Sequence, residues 1–119
     1  MYYKLSGHEV VPCPMEEWAA EFSNTDKRKI VSTDFEEGVT VSTVFLGMDH
    51  RFGGDGPPII FETMIFCKDG ILHELDQQMW RYCTWDEAEE GHRKVLSTVQ
   101  KALEDSIPTI SMDEFEKEL

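Results

Sequence analysis

Val39-Thr40-Val41-Ser42-Thr43-Val44-Phe45-Leu46-Gly47 is the stretch whose reading decides the fold. It is rich in β-branched residues, which suit a pleated, half-buried strand. Upstream, Lys29 to Phe35 has the same character, and the turn Glu36-Glu37-Gly38 joins the two as a hairpin. Downstream, a Gly/Pro loop leads to Ile59–Cys67. This segment is apolar on both alternating faces (Ile59, Phe61, Ile65; Ile60, Met64, Phe66), as a central strand is. Lys68-Asp69-Gly70 is a hairpin turn signal, and Ile71 to Cys83 supplies the return strand, bent near Asp76-Gln77-Gln78.

Working outward, Tyr2 to Leu5 is a short β-prone segment ended by Ser6-Gly7. A helix starts around Cys13-Pro14, since proline suits a first helical position and Glu16 and Glu17 complement the positive helix end. Met15, Trp18, Ala19 and Phe22 fall at i, i+3, i+4 and i+7 and form its predicted buried stripe, and Ser23-Asn24 closes it. The last long element is a helix from about Trp85 to Ser106. Thr84 and Glu87 have the capping-box spacing, and Ala88, His92, Val95, Val99 and Leu103, with Leu96 beside them, make an inward stripe. Pro108 stops any continuation.

This order predicts an α+β fold: a single antiparallel β-sheet of about four to five strands with two α-helices packed on one face. Residues 1–106 form one domain, and 107–119 an acidic tail that is either a short helix or disordered. Because Ile59–Cys67 is apolar on both sides, the second sheet face calls for a cover, either a homodimer stacking sheet on sheet or a partner protein.

The charge restricts the partners. The 119 residues include 24 Asp and Glu against 11 Lys and Arg, a formal net charge of −13. Direct binding to nucleic acid is disfavoured, because such affinity is carried by cations, and so is an anionic membrane surface. A protein with a basic surface, or a small anionic ligand held by local dipoles, remains. The 40% apolar content argues against intrinsic disorder. No apolar run is long enough to span a membrane, and the first residues lack the apolar core of a signal peptide. Three cysteines, Cys13, Cys67 and Cys83, cannot all pair with each other, which reads as reduced thiols in a cytoplasmic setting. Their spacing to histidines matches no zinc signature, so neither metal nor cofactor is expected.

The densest chemistry lies in Gly47-Met48-Asp49-His50-Arg51-Phe52-Gly53-Gly54-Asp55-Gly56-Pro57-Pro58. Two strands can be joined by far fewer residues. The glycines permit close backbone approach to a ligand, His50 titrates near neutral pH, and Arg51 can clamp a carboxylate or phosphate. Asp49, His50, Arg51, Gly53, Gly54 and, from the following strand, Glu62 are therefore the candidate ligand-binding residues. The competing reading is structural: glycines for turns, Pro57-Pro58 for stiffness, His50 as an anchor. The loop lacks the G-K-[S/T] of a P-loop and the acid spacing of an EF-hand. No catalytic set has a motif to support it. Cys83 and His92 flank the start of the last helix, but Cys83 is expected to end a strand and His92 to be a satisfied core-edge residue. Trp80, Tyr82 and Trp85 cluster where strand passes into helix and read first as core packing, with stacking on a base or ring as the alternative.

The run Val41-Ser42-Thr43-Val44-Phe45-Leu46-Gly47-Met48-Asp49-His50, with Phe52-Gly53-Gly54, Gly56-Pro57-Pro58 and Phe61-Glu62-Thr63-Met64, resembles a family of small uncharacterised proteins of bacteriophages, prophages and bacteria. Arg81-Tyr82, Thr84-Trp85, Glu87-Ala88 and Gly91-His92 resemble its second block, and His8-Glu9-Val10-Val11-Pro12-Cys13 and Trp18-Ala19 an early one. Arg51 and Asp55 depart from the neutral residue and simple glycine run expected there. The resemblance brings no activity. It implies a setting in which small accessory proteins act on host machinery or host defence.

Three functions follow as expectations. The first is a non-enzymatic phage-type protein that binds and inhibits or sequesters a host component, its acidic face imitating a phosphate array or its loop holding a nucleotide-like ligand. The second is a small enzyme centred on His50, Asp49 and Glu62, which the absence of a catalytic motif makes the less favoured class. The third is a virion assembly component.

Overall fold

The computed structural model describes residues 2–23, 28–51 and 56–106. The tail 107–119 and loop residues Phe52, Gly53, Gly54 and Asp55 lie outside the described residues. The fold is α+β: the described residues form a four-stranded and a two-stranded antiparallel sheet, and Met15–Phe22 and Trp85–Ser106 are helices. The main sheet comprises β3 (Lys29–Phe35), β4 (Val39–Phe45), β5 (Phe61–Cys67) and β6 (Met79–Tyr82), in that spatial order. The strands β1 (Tyr2–Ser6) and β2 (Glu9–Cys13) form a separate hairpin, followed by α1 (Met15–Phe22). The long helix α2 spans Trp85–Ser106 and covers β4, β5 and β6.

The alternation in β4 and β5 sets the core. Val39, Val41, Thr43 and Phe45 on β4 and Phe61, Thr63 and Ile65 on β5 are buried beneath α2. From α2 come Ala88, His92, Val95, Val99 and Leu103, the stripe read from the sequence. The apolar core is divided in two. Val39, Val41 and Ile65 pack with Val95, Val99 and Leu103 at one end. Phe45, Ile60, Phe61 and Ala88 cluster at the other, reinforced by Tyr3, Leu5 and Val10 of the hairpin.

Between the two clusters lies a polar belt. Thr43 and Thr63, paired across β4 and β5, bond through their hydroxyls at 2.6 Å. His92 Nδ1 lies 2.7 Å from Thr43 Oγ1, and its Nε2 lies 3.0 Å from Thr33 Oγ1 on β3. The histidine is 4% exposed. Burial without a bonded carboxylate holds its pKa below the usual imidazole value, so the ring is kept neutral. A neutral ring donates through one nitrogen and accepts through the other, and threonine hydroxyls can meet either need.

Three sequence readings are corrected. The expected single sheet is joined by a second one: Glu9–Cys13 pairs with Tyr2–Ser6 despite Pro12, because both strands of an isolated hairpin are edges and can hold a proline. The return strand narrows to Met79–Tyr82. Ile71, Leu72 and Leu75 instead pack on the core from a chain of turns, in which Leu72 and Gln77 have positive φ and Asp76 Oδ1 accepts the Cys67 N–H at 2.8 Å. The α1 stripe is not buried on the main sheet. Met15 is 55% exposed and Ala19 is exposed, while Trp18 packs on Tyr2 of the hairpin with ring centroids 4.6 Å apart. The Phe22 side chain lies outside what is described.

Beside the packing of Tyr3, Leu5 and Val10, a backbone hydrogen bond and a ring stack join the hairpin to the body. Tyr3 N–H donates to Gly47 C=O at 2.8 Å, beside a bridge between Tyr2 and Met48. At the hairpin turn, His8 stacks on Trp85 at 3.9 Å, within 7° of parallel. The indole N–H of Trp85 in turn bonds to Glu89.

Candidate functional site

The neck of the 47–58 loop is closed by its own polar groups. Asp49 Oδ1 accepts two backbone N–H groups, from Arg51 at 2.8 Å and from Ile59 at 2.9 Å. Those bonds hold its carboxyl below the usual carboxylate range. His50 N–H donates to Ile59 C=O at 2.9 Å. The Arg51 guanidinium reaches Pro57 and Cys83: Nε donates to Pro57 C=O at 2.9 Å, and Nη2 lies 3.8 Å from Cys83 Sγ. Gly56, at φ +126, gives that guanidinium room. Asp49 Oδ1 and Arg51 Nε therefore bond to the backbone at the neck of the loop.

Glu62 belongs elsewhere. It sits opposite Arg81 across β5 and β6 and pairs with it at 3.0 Å, on the sheet face turned away from α2. Met64, Phe66 and Met79 share that face, with Phe66 48% and Met79 45% exposed. Gly53 and Gly54 lie outside the described residues.

Replacing Asp49 with alanine leaves the Arg51 and Ile59 N–H groups without their acceptor. The expected result is much faster hydrogen exchange at these two amides at neutral pH, with the exchange of β4 and β5 unchanged. In the wild type the carboxylate's contribution is present above the unfolded-state pKa and is lost as pH falls through the depressed folded value.

A second site brings the Trp80 and Tyr82 aromatics against one side of α2, a juxtaposition the sequence does not show. Between edge strand β6 and α2 runs an open groove of about 510 Å³. Trp80 and Tyr82 form its floor with Gly91 and Val95. Asp86, Glu87 and Glu90 line one end, and Lys94 and Thr98 the other. The floor reaches the helix because residue 91 has no side chain: a Cβ there would lie 2.2 Å from the Tyr82 ring. Thr84 fixes the acidic end, since its Oγ1 accepts the Glu87 N–H at 3.1 Å and donates to the Glu87 carboxylate at 3.0 Å. Glu90 bonds to Arg93 at 2.9 Å, and the guanidinium keeps its carboxyl ionised to lower pH than usual. The sequence signals for this groove are the Trp80 and Tyr82 aromatics, read first as core packing, and a glycine inside an otherwise good helix.

The chain matches no family model, no curated protein and no solved structure.

Other candidate chemistry is quiet. Cys13, Cys67 and Cys83 are free thiols, and burial raises the pKa of Cys13 and Cys67, which keeps them protonated at neutral pH. Among the described residues no three His, Cys, Asp or Glu side chains are placed to hold a metal ion. No described helix is long and apolar enough to cross a membrane.

An aromatic floor beside carboxylates suits a positively charged group. The ring faces attract a cation through their quadrupole, and the exposed carboxylates add a salt-screened attraction.

Proposed function

We propose that this protein is a non-enzymatic binding protein that engages a basic segment of a partner protein through the β6–α2 groove. The observation that carries the reading is the pairing of Trp80 and Tyr82 with Asp86, Glu87 and Glu90 around one groove. The net charge of −13 supports it from long range, by drawing basic surfaces toward the domain. The resemblance to phage-encoded accessory proteins makes a host component the natural partner, with inhibition or sequestration as the outcome. The 47–58 loop has a supporting role in this account, because Arg51 Nε and the Asp49 carboxylate bond within the loop itself.

The test is fluorescence polarisation with a labelled five-residue peptide that alternates arginine and valine, at about 50 and 300 mM salt. Binding should weaken by roughly tenfold or more over that range, because part of the affinity comes from exposed charges that salt screens. An acidic peptide of equal length should not bind. Salt-independent binding, or equal affinity for the acidic peptide, would contradict the proposal.

A further inference from the structure

Among the described residues no strand pairs with the outer side of β6, so the groove lies along an open sheet edge, and this bears on how a partner is held. Resting on the basic-segment reading above, the geometry points to strand addition: the partner segment extends the main sheet as a fifth strand alongside β6, with alternate side chains entering the groove. The backbone directions support this. Ile65 N–H donates to Gln78 C=O at 3.0 Å, and Ile60 N–H donates to Tyr82 C=O at 2.9 Å. Backbone groups alternate sides along an antiparallel strand, so those of Gln78, Trp80 and Tyr82 face β5. Those of Met79 and Arg81 then face the edge. At the opposite edge, β3 is interrupted by a bulge between Lys29 and Val31, a feature that discourages pairing.

The dimensions agree. Glu87 to Thr98 is twelve residues of helix, a rise of about 16 Å at 1.5 Å per residue. Five residues of extended chain span about 17 Å. The side-chain pattern follows from the two faces of β6. On the α2 side, the added strand meets Trp80, Tyr82 and the carboxylates, which select arginine or lysine. On the other side it runs beside Met79, 45% exposed, which selects an apolar neighbour. The preferred occupant is therefore an extended segment in which basic and apolar residues alternate. A second copy of this chain, itself strongly acidic, is a poor match for the acidic end of the groove.

Amide hydrogen exchange of the isotope-labelled wild-type chain tests this, read by NMR with and without the arginine–valine peptide. The comparison includes two versions of the peptide N-methylated at alternate residues, one in each register. Strand addition predicts at least tenfold slower exchange at Met79 and Arg81 on binding, and at least tenfold weaker binding for one methylated register only. If the peptide binds while those two amides exchange unchanged and neither methylation weakens it, strand addition is overturned and the groove reading stands. If no version binds, both fall.

Discussion

Gly91→Ala is expected to destabilise the protein by about 2 kcal/mol, the scale of overpacking in a well-filled site. Helix propensity alone predicts the opposite sign, since alanine in a helix interior is favoured over glycine by about 1 kcal/mol. The structure decides between them. A methyl at residue 91 would sit 2.2 Å from the Tyr82 ring, so the ring must leave its place on the helix. Urea unfolding of a double-mutant cycle isolates the effect. In a Tyr82→Leu background, Gly91→Ala should become neutral or stabilising, a coupling of at least about 1.5 kcal/mol. A stabilising Gly91→Ala in the wild-type background would mean that the ring does not rest on the helix. The same substitution should weaken peptide binding, because Tyr82 forms part of the groove floor.

The second large effect concerns the belt that divides the core. His92→Ala removes the partner of Thr43 and Thr33 and leaves a cavity, with an expected loss of about 3 kcal/mol. For a domain of this size that lowers Tm by roughly 10–20 °C. The wild type should also lose stability in mild acid, for a reason specific to this histidine. Its folded pKa is depressed by burial, so the neutral ring's contribution is intact above the unfolded value of about 6.5. Below that pH the unfolded chain takes up a proton that the folded chain refuses. Stability then falls with pH until the folded pKa is reached. Between pH 7.5 and 5.5 the loss should reach up to about 1.4 kcal/mol. His92→Asn should flatten that dependence, and an unchanged slope in this variant would show that the ring does not carry it.

The parts legible in the sequence were those fixed by local period. The α2 stripe from Ala88 to Leu103 repeats at helical spacing over four turns, and each of its members is buried in the structure. The β3–β4–β5 order followed from β-branched runs bounded by turn residues. What failed had a tertiary cause. Pro12 and the Cys13-Pro14 pair hid β2, because a proline is tolerated only where the strand has a free edge, and the chain alone does not show which strands are edges. Ile71, Leu72 and Leu75 suit a strand by composition, yet their core contacts are made from turns.

The site followed the same rule. Asp49 could have been read as a side-chain acceptor for the N–H two residues on, a local pattern typical of aspartate in turns. Glu62 could not have been placed, since its partner Arg81 depends on cross-strand register. The groove joins residues of β6 to one side of α2, a juxtaposition that arises only when the helix packs on the sheet.

The central claim is that the groove, and not the overall negative charge, binds a basic segment. Two charge-matched variants separate these. Asp86→Lys with Glu90→Lys changes the acidic end of the groove and leaves the Thr84–Glu87 cap in place. Glu104→Lys with Asp105→Lys changes two exposed acids near the far end of the same helix. Each raises the net charge from −13 by four. With both confirmed as folded by thermal melting, affinity for the arginine–valine peptide is the measurement. The account predicts at least a tenfold loss for the groove variant and a change within about twofold for the distal one, since a distant exposed charge is largely screened at moderate salt. Equal losses in the two would contradict it.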